Sequence, residues 1–173
     1  MDQSKKISVL HFAPEPQIEQ LLRTKQQVDY LSVDIDYRKA MRKEDITALS
    51  FDDNKFDVIV CIHVFEHIDN DKKAMQEVFR VLKPGGIALL DVPIDETREQ
   101  TFEDPSITDP VERTKAYWQW DHVRLYGRDY ARKLRDAGFT VVERQLIREL
   151  GEVVIAKNGL EVAPNFVCSK SAQ

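Results

Sequence analysis

The stretch Phe56–Ile62, FDVIVCI, decides the architecture. Apart from Asp57 it is apolar throughout, rich in Val and Ile, and of strand length, which marks a strand covered on both faces. Such a strand belongs at the centre of a parallel sheet, with helices packed against it. Downstream, Asp69, Asn70 and Asp71 offer capping oxygens, and Ala74, Met75, Val78, Phe79, Val81 and Leu82 recur at helical spacing. Lys83-Pro84-Gly85-Gly86 is expected to stop that helix, because proline cannot continue it and glycine accepts positive φ. Residues 87–92 then read as the next strand.

Upstream, Ile7–Phe12 reads as the first strand, and Pro16 suits the first turn of a short helix with Ile18, Leu21 and Leu22 on one face. Residues 30–35 form a second strand that ends among Asp34 and Asp36. The spacing from there to Glu44-Asp45 is too short for a crossover helix, so a truncated third strand over residues 40–43 is expected with no helix before it. Beyond residue 92 comes a polar, proline-bearing segment that closes on Tyr117-Trp118-Gln119-Trp120, the length of a lid or binding loop. Residues 128–137 read as a helix closed by Gly138, and residues 139–145 as a strand. In the tail, residues 153–156 and 165–168 are both strand-like, and the second is the better candidate for a final strand.

The 173 residues amount to one domain, large enough to bury roughly 70% of the unfolded surface. A single domain over 1–173 is therefore expected. With 42% hydrophobic and 32% charged residues the composition is that of a globular protein, and no window is long and apolar enough for a membrane-spanning helix. The net charge of −5 disfavours a polyanionic partner such as nucleic acid, and the basic residues Arg128, Arg132, Lys133 and Arg135 read as a solvated helix face. The N-terminal residues show no apolar leader or cleavage site, from which a cytoplasmic location is expected. Cys61 and Cys168 lack paired spacing, so neither a metal site nor a disulfide framework is signalled, and both sit in apolar runs.

The loop after the first strand, His11-Phe12-Ala13-Pro14-Glu15-Pro16, stands where a nucleotide fold places its glycine-rich phosphate turn. It has no glycine, two of its residues have no N–H, and Glu15 would repel phosphate. The same carboxylate would welcome an ammonium or sulfonium. Asp34, at a strand end, is suited to accept from both hydroxyls of a ribose. Asp45 could accept from an adenine amino group while Ile46 packs on the ring. Acidic groups at successive strand ends favour a nucleoside over a phosphate.

Taken together, the segments Val33-Asp34-Ile35, Glu44-Asp45-Ile46, FDVIVCIHVFEHI over residues 56–68, FRVLKPGG over residues 79–86 and Ala137-Gly138-Phe139 resemble the class I S-adenosylmethionine-dependent methyltransferases. The resemblance covers most of the chain. It implies a Rossmann-like, doubly wound, mostly parallel seven-stranded sheet, here with a shortened connection from strand 2 to strand 3. It also implies S-adenosyl-L-methionine as cofactor. The usual acidic end of strand 1 and its glycine-rich turn are replaced here by His11 and Ala13-Pro14-Glu15, and similar HFAPEP loops recur in a bacterial subgroup of the family. In that topology strand 5 separates the strands bearing Cys61 and Cys168 by two spacings, roughly 10 Å, beyond disulfide reach.

The resulting expectation is methyl transfer by in-line displacement to a small-molecule acceptor, less readily a macromolecular one. Cofactor contacts are expected from His11, Phe12, Ala13, Glu15, Asp34, Ile35, Asp45, Ile46, Ile62 and His63. His63 and His122 are the candidate catalytic residues, since an acceptor that must lose a proton is served by imidazole; the resemblance implies a largely structural role for Glu66-His67. Residues 93–126 are expected to cover the acceptor, with Trp118, Trp120, His122, Arg124 and Tyr126 as contacts, or else to pack as a satellite core. Two other functional classes remain: a non-catalytic binding module of the same fold, and a nicotinamide-dependent oxidoreductase, which the prolines and absent glycines disfavour.

Overall fold

A computed structural model of the protein describes residues 6–158 and 163–172. Residues 1–5, expected to carry no targeting segment, lie outside the described residues. The element order is β1 (Ile7–Phe12), α1 (Pro16–Arg23), β2 (Val28–Asp34), β3 (Arg42–Lys43), β4 (Phe56–Ile62), α2 (Asp71–Val81), β5 (Leu82–Asp91), α3 (Pro110–Tyr117), α4 (Tyr130–Asp136), β6 (Thr140–Arg144), α5 (Leu146–Glu149), α6 (Glu152–Asn158) and β7 (Asn165–Ser169). The strands form one seven-stranded sheet in the order β3-β2-β1-β4-β5-β7-β6, with only β7 antiparallel to its neighbours. This is the Rossmann-like arrangement expected from the sequence, and β4 holds its centre.

Burial explains that centre. Phe56, Ile59 and Cys61 of β4 are all closed off from solvent, as are Leu10 and Phe12 of β1 and Ala88 and Leu90 of β5. Each large apolar side chain so buried contributes about 1.5–3 kcal/mol. On α2 the buried face is Ala74, Met75, Val78 and Val81, and its first turn is capped by Asn70 Oδ1, which accepts from the Lys73 N–H at 3.0 Å. The β2 to β3 connection contains no helix, as its length required. Cys61 and Cys168 are free and buried on β4 and β7, with β5 between them.

Beyond shifts of one or two residues at element ends, three stretches stand out against the sequence reading. Lys83-Pro84-Gly85-Gly86 does not form a loop between helix and strand. The helix ends at Val81, Leu82 is already extended and paired with Phe56, and the four residues form an irregular stretch inside β5, where the β4 register shifts. Gly85 takes φ +77° there, and a Cβ on Gly86 would meet Leu82 Cδ1 at 2.8 Å, so both glycines serve the strand's distortion rather than the helix's end. Residues 153–156 are helical, within α6, and Val153 is exposed; local apolar composition did not separate strand from surface helix. The polar segment after β5 contains a helix, α3, whose cap Asp109 accepts from the N–H groups of Val111 and Glu112.

Asp57, the polar residue of β4, ties three elements together. Its Oδ2 accepts from the Ser8 N–H at 2.8 Å, the Ser8 hydroxyl at 2.6 Å and Lys83 Nζ at 2.7 Å. Burial pushes this carboxyl upward, but the hydrogen bonds from Lys83 and Ser8 outweigh it and hold the pKa at about 2. A carboxyl depressed in the folded state stabilises above its unfolded pKa, about 3.9. That stability drains away as pH falls through the folded value. Asp57→Asn is therefore expected to lower the urea midpoint at pH 7, with the gap to the parent closing between about pH 4 and pH 2. An equal gap at pH 7 and pH 2 would refute the ionic origin.

Candidate active site

The site lies where the sheet's connections reverse direction. β1 pairs with β2 on one side and β4 on the other, so crossovers leave the shared C-terminal edge in opposite directions and open a crevice. Register brings the walls level: Phe12 pairs with Val33 and with Cys61. Just beyond those pairs the chain turns through two left-handed residues that are not glycine, Ala13 at φ 44° and His63 at φ 54°. The conformation costs each on the order of 1–2 kcal/mol. Their backbone N–H groups donate to Val33 O and Asp91 O at 2.9 Å, which helps hold both turns. Such strain concentrates at functional edges, and both residues line the crevice.

The crevice is a cleft of about 650 Å³, the size range of cofactor sites. One wall carries Phe12, Ala13, Asp34 and Ile35 from the β1 and β2 ends, and the floor carries Asp45 and Ile46 from the turn after β3. Asp34 Oδ1 accepts from the Asp36 N–H at 2.7 Å, which fixes the carboxylate on the cleft lining. Asp45 Oδ1 accepts from the Thr47 hydroxyl at 2.7 Å and N–H at 2.8 Å, bonds that lower its pKa below the usual carboxylate value. The far wall is the short 3-10 turn Phe65–His67 and the start of α2, with His67, Ile68 and Asn70 on the lining. Lys39 also lies on the lining.

Seven of the ten residues expected at a cofactor therefore line one cleft: Phe12, Ala13, Asp34, Ile35, Asp45, Ile46 and His63. His11, Glu15 and Ile62 do not. The His11 ring is fully buried, with Nδ1 against Tyr30 Oη at 2.9 Å and Nε2 against Glu15 Oε2 at 2.7 Å, so the acid after β1 is turned back onto its own strand. His63 is exposed, with Nδ1 3.3 Å from Glu66 Oε1. The Glu66 hydrogen bond raises the His63 pKa against the opposing effect of burial. A shift in that direction leaves less neutral imidazole to accept a proton near neutrality.

Residues 93–126 fold back over the 3-10 turn. Trp118 and Trp120 project into solvent, whereas His122, Arg124 and Tyr126 are buried. The Arg124 guanidinium donates to the carbonyl oxygens of Phe65, Ile68 and Asp69 and to both carboxylate oxygens of Glu103. Tyr126 Oη donates to Asp71 Oδ2 at 2.9 Å. These two side chains anchor the segment and hold the cleft's far wall, a satellite core rather than a surface open to an acceptor. His67 and Asp121, not counted among the expected binding residues, line the cleft. Asp121 adjoins His122 in sequence, yet only the fold-back brings it there.

Residues 7–90 match the model of a methyltransferase domain. The ubiquinone/menaquinone biosynthesis C-methyltransferase UbiE of Idiomarina loihiensis is 37% identical over 62 residues, 34% of this chain and a quarter (25%) of that protein's length. Among solved structures, a chain of the complex between the Haloferax volcanii Trm112 methyltransferase activator and a methyltransferase is 14% identical. It superposes at a TM-score of 0.68, covering 100% of this chain and 86% of that one. An S-adenosylmethionine-dependent methyltransferase from Methanosarcina mazei, 15% identical, gives a TM-score of 0.59 over 98% of this chain and 95% of that one. The structural likenesses concern the fold.

Proposed function

We propose that this chain is a class I methyltransferase that binds S-adenosyl-L-methionine in the strand-end cleft and directs its methyl group to a small-molecule acceptor. The observation that carries the reading is the pairing of two fixed carboxylates, Asp34 and Asp45, with the apolar surfaces of Ile35 and Ile46 in a cleft without a phosphate cradle. That donor set fits a nucleoside: Asp34 accepts from the ribose hydroxyls, Asp45 from an exocyclic amine, and Ile46 packs on the base. The acids on the lining also suit a ligand carrying a sulfonium.

When bound, the cofactor supplies a methyl group on an electrophilic sulfur. The chain's own task is to orient, since in-line geometry alone can be worth roughly 7–11 kcal/mol. The left-handed turns at Ala13 and His63 shape the crevice between β1 and β4. Trp118 and Trp120, exposed next to the cleft residue Asp121, suit the acceptor side of the segment 93–126, and His63, on the cleft lining, would take an acceptor proton in its neutral form. Net charge of −5 accords with a small acceptor rather than nucleic acid, and the two free thiols accord with a reducing cytoplasm.

Calorimetry against S-adenosylmethionine, S-adenosylhomocysteine and NADH tests the reading. Binding of the first two and not the third is expected; binding of NADH alone would overturn it. Asp34→Ala removes charged hydrogen bonds worth about 1.5–3 kcal/mol and is expected to weaken S-adenosylhomocysteine binding at least tenfold. Asp45→Ala is expected to lose less, because the Ile46 packing remains. Unchanged affinity in Asp34→Ala would show that the ribose sits elsewhere.

A further inference from the structure

We propose that Glu66, His67 and His122 form a binding site for one divalent transition-metal ion of the zinc type. Each residue offers a ligand atom, and these atoms lie within 4.8 Å of one another. The two imidazoles meet edge to face, their centroids 4.7 Å apart and their planes at 82°.

The second observation is an orphan. Among the described residues, Glu66 Oε2 is the buried side-chain oxygen with no hydrogen-bond partner, and Glu66 is only 1% exposed. A buried carboxylate oxygen without a partner costs on the order of 1–3 kcal/mol or more, and a cation between it and two imidazoles removes that cost.

The surroundings are those of a ligand set already oriented. His122 Nδ1 lies 2.9 Å from Tyr117 O, a carbonyl that can only accept. That bond places the proton on Nδ1 and leaves the lone pair on Nε2 for a metal. His67 Nδ1 lies 3.4 Å from Asp121 Oδ2, the carboxylate-to-imidazole pairing that commonly backs a metal-binding histidine. The other oxygen of Glu66 faces His63 Nδ1.

Two nitrogens and one carboxylate oxygen suit zinc, cobalt or nickel better than calcium or magnesium, which prefer all-oxygen shells. Ligand atoms around tetrahedral zinc stand about 3.3 Å apart, given bond lengths near 2.0–2.1 Å. The cluster must therefore contract slightly, and rotation of the half-exposed His67 can supply that. Three protein ligands leave a fourth position, and because His67 lines the cleft that position adjoins the ligand space. The ion would also add a direct tie between the 3-10 turn and the segment 93–126, beside the backbone, Arg124, Tyr126 and His67–Asp121 contacts already there. The proposal does not depend on methyl transfer.

The test uses the full chain, stripped with a chelator and dialysed, then titrated with ZnCl2 by calorimetry and with CoCl2 by visible absorption. Expected are one equivalent of zinc bound, a cobalt d–d band of four- or five-coordinate N/O character, and no heat with MgCl2 under the same conditions. His67→Ala, at a partly exposed position, and Glu66→Gln are each expected to weaken zinc binding at least tenfold. The far-UV spectrum checks that both variants fold, and if Glu66→Gln does not, His67→Ala decides alone. Absence of stoichiometric zinc binding by the parent, or parent-like affinity in folded His67→Ala, would overturn the site.

Discussion

Arg124→Met is expected to lose about 3–5 kcal/mol of folding stability, the cost of breaking a buried, hydrogen-bonded charge network by removing one partner. Arg124 is 1% exposed in spite of its length. Its guanidinium satisfies three backbone carbonyls from Phe65, Ile68 and Asp69, and it faces the carboxylates of Glu103 and, at 3.7 Å, Asp71. Methionine of similar reach fills the volume but takes the guanidinium donor away from all of them, while Asp71 keeps the Tyr126 hydroxyl. Against a total stability of about 5–15 kcal/mol the loss is a large fraction. Urea unfolding monitored by fluorescence measures it, and a loss under 1 kcal/mol would show that solvent takes over those carbonyls. Arg124→Lys keeps the charge without the planar fork and is expected to fall between parent and Arg124→Met. Because the three carbonyls belong to the cleft's far wall, ligand affinity should fall in Arg124→Lys even where the chain stays folded.

Tyr130→Ala is expected to cost a similar amount, about 3–5 kcal/mol, through a different mechanism: a large cavity in the core. Tyr130, the first residue of α4, is fully buried between Tyr126, at 4.7 Å between ring centroids, and Phe166 of β7, at 4.8 Å. Its hydroxyl donates to Leu90 O of β5 at 3.0 Å. One side chain thus packs the fold-back segment, the final strand and the sheet onto one another. For a chain of this size the melting temperature should drop by roughly 6–20 °C. Tyr130→Phe removes only the hydroxyl and leaves Leu90 O unpaired, so it should cost about 1–3 kcal/mol. Equal losses in the two variants would mean that the hydrogen bond, and not the packing, carries the effect.

The two variants fall in the part of the molecule where sequence and structure diverged most. Arg124 and Tyr126 read as acceptor contacts because they follow an aromatic cluster after the fifth strand; in the fold they point inward and bind Phe65, Asp69 and Asp71. No local pattern marks an arginine as buried, since the three carbonyls that satisfy it lie more than fifty positions away in the chain. Glu66, His67 and His122 converge for the same reason, and no spacing rule joins residue 67 to residue 122. Lys83-Pro84-Gly85-Gly86 carries the local chemistry of a helix stop, and the pairing of Leu82 with Phe56 is what draws it into a strand instead.

What the sequence determined by itself was short-range. An unbroken Val- and Ile-rich run must be covered on both faces, so Phe56–Ile62 had to be central, and an interval too short for a helix had to leave β2 and β3 directly joined. The carboxylates Asp34 and Asp45 end or follow strands of a parallel sheet, and parallel strands bring their C-terminal ends to one edge, so the cleft's acidic side was legible from order alone. The opposite side was decided by the tertiary structure only. Its residues come from a turn after β4 and a segment that folds back onto it, and their meeting is fixed by buried hydrogen bonds whose partners are distant in sequence and near only after the chain has folded.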